Sequence, residues 1–219
     1  MPPSPRPSRW PSQHKLYAIV DAGECARAQR APLDVARAFL SAGARLMQLR
    51  CKEMAGGAFL ELANHVIEHG RSADATIIIN DRADVARLSG ANGLHVGQTD
   101  LRPAEARAVI GAAAVLGLST HTREQWERAA REPISYLAIG PAFGTGTKDT
   151  GYSAVGLETI SRAAEAARAH RLPAVAIGGI TIENAPSVID AGADSVAVIS
   201  DLLKGDPEAR CRAFLRILE

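Results

Sequence analysis

Seven times along the chain a short apolar run ends in a cluster of polar or glycine residues, and an alanine-rich, helix-like stretch follows. Leu46-Met47-Gln48-Leu49 leads into Arg50 and Lys52, and Thr76-Ile77-Ile78-Ile79 leads into Asn80-Asp81. Gly93-Leu94-His95-Val96 leads into Gln98 and Asp100, and Val115-Leu116-Gly117-Leu118 into Ser119-Thr120-His121. Tyr136-Leu137-Ala138-Ile139 leads into Gly140 and, past it, Thr145, Thr147 and Lys148. Ala174-Val175-Ala176-Ile177 leads into Gly178-Gly179, and Val196-Ala197-Val198-Ile199 into Ser200. The runs are continuously apolar rather than alternating, the mark of parallel strands buried on both faces. A strand, a polar cluster and a helix, repeated, is the pattern of an α/β barrel, whose active site lies where the strands end.

A first strand over 16–20 brings the number of strand–helix units to eight. The other strands are expected at 46–49, 76–79, 93–96, 114–118, 136–139, 174–177 and 195–199. Helices are expected over 32–42, 56–69, 103–111, 182–191 and 207–218, with another opening near Arg82. Pro186 should delay the start of the helix in 182–191. Thr122 with Gln125 three residues on has the spacing of a capping box. Eight units in 219 residues leave no room for a second domain. The expected architecture is α/β: a single (β/α)8 TIM barrel over 14–219 behind a short disordered, proline-rich tail over 1–13. The rival, an open doubly wound sheet, typically carries a glycine-rich fingerprint after its first strand. Asp21-Ala22-Gly23-Glu24 carries none.

Composition excludes several function classes. A net charge of +1 without a basic stripe argues against nucleic acid. No apolar run approaches the ~18 residues that would suggest a membrane span. The N-terminal stretch has no apolar core and does not read as a signal peptide. Cys25, Cys51 and Cys211 lack metal-ligand spacing, and three cysteines cannot form a closed disulfide set, so a cytoplasmic location is expected. The chain has 21 arginines and only four lysines, which makes a loop lysine a departure from local habit. Lysine supplies a compact point charge where arginine supplies a planar fork.

The polar clusters suggest chemistry. Asp81 and Asp100, at neighbouring strand ends, could share one hard divalent cation, since Mg2+ takes one or two carboxylates and completes its shell with water and phosphate oxygens. They could equally cap the helices that follow. Asn80 beside Asp81 could hydrogen-bond the edge of a heterocycle. Gln48, Arg50 and Lys52 alternate and so share one face of an extended segment. An amide and two cations converging there suit a polyanion such as pyrophosphate. Thr145-Gly146-Thr147-Lys148 offers hydroxyls, backbone N–H groups and an ammonium to a phosphate. It is not a Walker loop. Gly178-Gly179 and Ser200 follow the last two strands, where barrels often bind phosphate on backbone amides. Ser119 and His121 could suggest a hydrolase, but no third member or nucleophile-elbow signature accompanies them. His65 and His69 read as ordinary outer-helix residues, and His95 as packed or hydrogen-bonded within its strand.

These residues, in order, give the chain a resemblance to the thiamine phosphate synthase family. It is carried by Gln48-Leu49-Arg50-Cys51-Lys52, Ile79-Asn80-Asp81-Arg82, Gly93-Leu94-His95-Val96-Gly97-Gln98-Thr99-Asp100, Gly117-Leu118-Ser119-Thr120-His121-Thr122, Thr145-Gly146-Thr147-Lys148, Ala176-Ile177-Gly178-Gly179-Ile180 and Val198-Ile199-Ser200. The resemblance implies a barrel that joins hydroxymethylpyrimidine pyrophosphate to hydroxyethylthiazole phosphate. Gln48, Leu49, Arg50, Cys51, Lys52 and Asn80 would then line the pyrimidine pyrophosphate site. Asp81 and Asp100 would hold Mg2+, and Ser119 and Lys148 would contact the pyrophosphate. Thr145, Gly146, Thr147, Gly179, Ile199 and Ser200 would line the thiazole phosphate site. Arg50, Lys52, Ser119 and Lys148 would be the catalytic set. The partners it implies are these two small molecules, and a homo-oligomer is compatible with the sequence. Two positions depart from the family pattern: Cys51 stands where glutamate is usual, and Gly146 where proline is frequent. Two other readings compete. A thiazole tautomerase would use His121 and need no metal, and a non-catalytic barrel would only bind thiamine precursors. Members of the tautomerase group tend to lose the metal and pyrophosphate residues present here.

Overall fold

The computed structural model describes residues 10–11, 13–144 and 153–219. Eight parallel strands close into a barrel in sequence order, each hydrogen-bonded to the next and the eighth to the first. They are β1 (Leu16–Asp21), β2 (Leu46–Arg50), β3 (Thr76–Asn80), β4 (Gly93–Val96), β5 (Val115–Thr120), β6 (Tyr136–Ile139), β7 (Ala174–Ile177) and β8 (Ser195–Val198). Between them run α1 (Ala22–Arg27) and α2 (Pro32–Ala42), then α3 (Gly56–Ser72), α4 (Ala83–Ser89), α5 (Pro103–Ile110), α6 (Arg123–Ala129), α7 (Gly156–Ala169) and α8 (Ala185–Asp190). A 3-10 turn (Ser200–Leu203) and α9 (Pro207–Leu218) follow the last strand. The expected (β/α)8 architecture is the one observed.

The differences are informative. Strands β1, β2, β3 and β5 run one or two residues past their apolar runs. Their polar ends still pair, since Asp21 is in register with Arg50, Asn80 with His95 and Thr120 with Ile139. Asp21, Gln48, Arg50, Asn80 and Ser119 therefore sit on strand backbone, and Lys52, Asp81 and Asp100 follow in the connections just beyond. The segment after β1 is helical, not a plain connection, because Asp21 Oδ1 accepts from the Glu24 amide at 3.0 Å and caps α1. Thr122 caps α6 by accepting from the Gln125 amide, as its spacing predicts. Helix α8 begins only at Ala185, with Pro186 in its first turn. Strand β8 stops at Val198 because Ile199 turns into the 3-10 segment.

Two apolar clusters hold the barrel. The larger lies between the strands' outward faces and the helices, and includes Val20, Leu49, Phe39, Phe59 and Phe214. The smaller fills the barrel, with Tyr17, Ile19, Leu46, Ile78, Val115 and Tyr136 among its members. Trp10 belongs to this inner cluster and is only 5% exposed. The stretch expected as a tail over 1–13 thus contains a residue that packs inside the barrel.

Candidate active site

Alternation along the strands decides which side chains reach the rim. Tyr17 and Ile19 face the barrel interior, so Asp21 does as well. The same parity places Leu46, Gln48 and Arg50 in one inward column, Ile78 and Asn80 in the next, and Val115, Gly117 and Ser119 in another. Cys51 falls on the opposite parity and packs in the outer cluster together with Cys25. Burial, with Asp21 and Cys25 adding to it, pushes the Cys51 thiol up to about 12. Cys51 is therefore a neutral packing group and not a nucleophile.

Cations and carboxylates gather over β1 to β4. Arg50 Nη1 donates to Asp21 Oδ2 in a largely buried ion pair. Lys52 Nζ lies 3.9 Å from Asp81 Oδ2. Asp81 has a left-handed backbone, φ 62°, and its amide donates to the His95 carbonyl at 2.8 Å. That turn brings its carboxyl beside that of Asp100. Asp100 Oδ2 in turn accepts from the Gly97 amide at 2.7 Å. Neither aspartate caps a helix: the N-cap positions of α4 and α5 belong to Arg82 and Arg102. Burial first, then the adjoining carboxyl of Asp100, raise Asp81 to about 6 against the opposing pull of Lys52 and Arg50. Two crowded carboxyls of this kind are stabilised by a cation. A cavity of about 210 Å³ opens beside them, lined by Cys51, Lys52, Asn80, Asp81 and Arg82.

A second cavity, about 270 Å³, lies over β5 to β8. Ser119, His121, Gly178, Gly179, Ile199 and Ser200 are among the residues that line it. Gly179 has φ 64°, and a Cβ there would stand 2.6 Å from the Gly144 carbonyl oxygen, so no other residue fits without displacing backbone. His121 Nδ1 is 2.5 Å from the Gly140 carbonyl oxygen. Asp201, 2% exposed, pins the 3-10 turn below Ser200. Its carboxylate meets Lys204 Nζ at 2.7 Å and Arg210 Nη2 at 2.6 Å, and accepts from the Ile182 amide at 3.2 Å. Lys204 also lines this cavity.

Most of the expected site residues are thus brought to one rim: Gln48, Arg50, Lys52, Asn80, Asp81 and Asp100 on one side, Ser119, Gly179, Ile199 and Ser200 on the other. Leu49 points the other way, into the outer cluster. Thr145, Gly146, Thr147 and Lys148 lie outside the described residues. His65 and His69 sit on α3, away from the rim, and His69 Nε2 accepts from Arg37 Nε at 3.0 Å. Sequence reasoning missed Asp21, Tyr17, Tyr136, Asp201 and Lys204. Asp21 carried a signal as an acidic residue at a strand end, and Lys204 as one of the chain's four lysines. No helix among the described residues is long and apolar enough to cross a membrane. Nor do the described residues contain a group of three or more His, Cys, Asp or Glu side chains able to hold a metal. A pair of carboxylates is nevertheless all that Mg2+ needs from protein when water and phosphate supply the rest.

A closed barrel whose strand ends carry a cation-and-carboxylate cluster beside a glycine-lined cavity defines a (β/α)8-barrel enzyme with its chemistry on the carboxyl-terminal rim. The sequence model of the family described as thiamine monophosphate synthase matches residues 16–202. A thiamine-phosphate synthase of Koribacter versatilis is 44% identical, over 93% of this chain and 95% of its own. One of Roseiflexus castenholzii is 41% identical, over 97% and 93%. The solved thiamine phosphate pyrophosphorylase of Pyrococcus furiosus superimposes with a TM-score of 0.84 at 28% identity, covering 94% of this chain and 96% of that one. The chain belongs to the thiamine monophosphate synthase family, enzymes of the transferase class.

Proposed function

We propose that the protein joins hydroxymethylpyrimidine pyrophosphate to hydroxyethylthiazole phosphate, releasing pyrophosphate and forming thiamine phosphate. The observation that carries this reading is the division of the rim. One side gathers Arg50, Lys52, Asp81 and Asp100, and the other is a separate cavity over β5 to β8 with room for a second, singly phosphorylated substrate. Asp81 and Asp100 are the residues that would hold Mg2+, which when bound neutralises pyrophosphate charge.

The remaining roles follow from residue chemistry. Gln48 and Asn80 bind the pyrimidine. Arg50, held in place by Asp21, and Lys52 bind the pyrophosphate, with Lys148 and with Ser119, which stands on β5 where the two sides of the rim meet, contacting the same group. Gly179, Ile199 and Ser200, with Thr145, Gly146 and Thr147, bind the thiazole phosphate. The bond from the pyrimidine methylene carbon to oxygen breaks first, and its electron pair leaves with pyrophosphate. The thiazole nitrogen then supplies the electron pair of the new carbon–nitrogen bond. That nitrogen carries no proton, so no general base is required, and the protein's task is electrostatic. The burial of the Cys51 thiol agrees with the absence of covalent catalysis. The retained cations and carboxylates disfavour the tautomerase reading, which has no pyrophosphate to bind. A cytoplasmic location agrees with three buried free cysteines.

The test is an assay of the purified protein with both precursors. Thiamine phosphate should form with Mg2+ and cease in excess EDTA. Product formation undiminished in EDTA would refute the metal role, and the lack of product under all conditions would refute the synthase reading.

A further inference from the structure

The barrel interior holds a hydrogen-bond chain that the proposed chemistry does not use. Gln48 Nε2 donates to Tyr17 Oη at 2.7 Å, and the Tyr17 and Tyr136 hydroxyls are 3.1 Å apart. Tyr136 Oη is 2.7 Å from His95 Nδ1, and His95 Nε2 is 2.8 Å from Ser119 Oγ. Five inward side chains on β2, β1, β6, β4 and β5 thus connect the two sides of the rim beneath it. Gln48, Tyr17, Tyr136 and His95 are all buried. Ser119 lines the cavity over β5 to β8. The packing is built around this chain. Gly117 leaves the space that the Tyr136 ring occupies, since a Cβ there would stand 2.1 Å from Tyr136 Cζ. Trp10 braces the same ring, with centroids 4.0 Å apart.

Counting protons fixes what such a chain can do. Each hydroxyl has one proton to give, and so does a neutral imidazole. A line of single-proton groups can therefore be ordered in only two ways, running from one end or from the other. With Gln48 Nε2 donating, Tyr17 accepts and must give its proton to Tyr136. Tyr136 then gives its own to His95 Nδ1. The imidazole proton is left on Nε2, where it donates to Ser119 Oγ, and the Ser119 proton is available to a ligand in the cavity. In the reverse order Gln48 would present its amide nitrogen to the rim, and Ser119 would spend its proton on His95. Burial holds both tyrosines protonated, so neither breaks the line by ionising.

We propose that Tyr17, Tyr136 and His95 are positioning residues that hold this proton order. They keep Ser119 a hydrogen-bond donor toward an anionic oxygen. At the other end they keep the Gln48 carbonyl turned toward a heterocycle bearing an amino group. A pyrophosphate and an aminopyrimidine select the same order from opposite ends, and a ring with oxo in place of amino would oppose it. The identity of these ligands rests on the synthase reading. The proton order does not.

The test reads the order directly. Nitrogen-15 NMR at pH 8 on histidine-labelled protein should show His95 protonated on Nε2 and bare on Nδ1. Tyr136→Phe removes the hydroxyl that donates to Nδ1, so its spectrum should show a mixture of the two tautomers. A wild-type proton on Nδ1, or a tautomer unchanged in a folded Tyr136→Phe, would overturn the proposal. Kinetically, Tyr136→Phe should lower kcat roughly 10-fold at unchanged KM for the thiazole phosphate, less than the 10²–10³-fold typical of removing a stabilising donor outright. Wild-type kcat in that variant would also overturn it. Tyr17→Phe cuts the chain one link earlier and frees the Tyr136 hydroxyl to donate to His95 or to accept from it. It should relax the tautomer toward a mixture and raise KM for the pyrimidine substrate, and a wild-type tautomer or an unchanged KM in the folded variant would overturn the coupling to Gln48. Should Tyr136→Phe fail to fold, the wild-type tautomer and Tyr17→Phe still decide. Should the protein make no thiamine phosphate at all, the spectra still report the order.

Discussion

Asp81 is held in a conformation and a charge environment that folding alone would not choose. Its backbone is left-handed, a conformation that aspartate tolerates better than most side chains but that still costs energy, and its carboxyl is pressed against that of Asp100. Its folded pKa, about 6, lies above the ordinary value of 3.8. A raised carboxyl pKa means that the folded state binds the proton more tightly than the unfolded chain does. The destabilisation is therefore full above pH 6 and disappears as the pH falls from about 6 to below 4. Asp81→Asn removes one of the two charges. Without metal at pH 7.5 it should raise stability by ~1–3 kcal/mol, given ~1.4 kcal/mol per unit shared between coupled groups. The melting temperature should rise by several degrees, while Mg2+-dependent turnover falls at least ~100-fold. Scanning fluorimetry in EDTA reads the first effect, and a melting temperature at or below wild type would contradict it. The charged residues of this cluster were legible because a polar side chain ending an apolar run has few structural reasons to be there. Tyr17 and Tyr136 were not legible. An aromatic residue inside an apolar run reads as core, and only the closed barrel shows that two of them meet.

Elements carry the site as much as residues do. The 3-10 turn after β8 holds Ser200 at the rim, and Asp201 ties that turn to the Ile182 amide and to α9 through Arg210. Burial opposes ionisation of Asp201, but Lys204 and Arg210 outweigh it and hold the carboxyl below the ordinary range. Its contribution to stability is therefore present at neutral pH and lost only as the pH drops below about 4. Asp201→Asn keeps the shape but leaves Arg210 facing a neutral amide. It should cost ~2–3 kcal/mol in urea unfolding, below the 3–5 kcal/mol of a fully buried pair because Lys204 is exposed. KM for the thiazole phosphate should rise more than KM for the pyrimidine substrate. Equal changes in both would remove the turn from the monophosphate site. The eight strands were legible because two-sided burial writes them as unbroken apolar runs. A four-residue 3-10 turn has no periodicity to read, and α1, six residues long, is too short for its pattern to stand out from a loop.

At the scale of the whole molecule, the barrel is closed from below by the chain that enters it. The Val196 amide donates to the Lys15 carbonyl at 2.7 Å, and Ser195 Oγ donates to the His14 carbonyl at 2.8 Å. These bonds fix the lead-in to β1 against β8 and place Trp10 under the inner cluster. Its ring lies edge-on to Tyr17, with centroids 5.3 Å apart, and tilted on Tyr136. A proline- and arginine-rich stretch without apolar neighbours gives no hint of this in sequence. Of its two ring partners Tyr17 is close in sequence, but Tyr136 lies on β6, and only barrel closure brings it to Trp10. Trp10→Ala should therefore behave as a core truncation rather than as a change in a tail, costing ~3–5 kcal/mol. At roughly 2–4 °C per kcal/mol for a chain of this size, the melting temperature should fall by about 6–20 °C. Because Trp10 braces the ring that carries the Tyr136 hydroxyl, the variant should also blur the His95 tautomer at temperatures where the barrel is still folded. A loss below ~1 kcal/mol in urea unfolding would return Trp10 to the tail and leave the barrel floor to Tyr17 and Tyr136 alone.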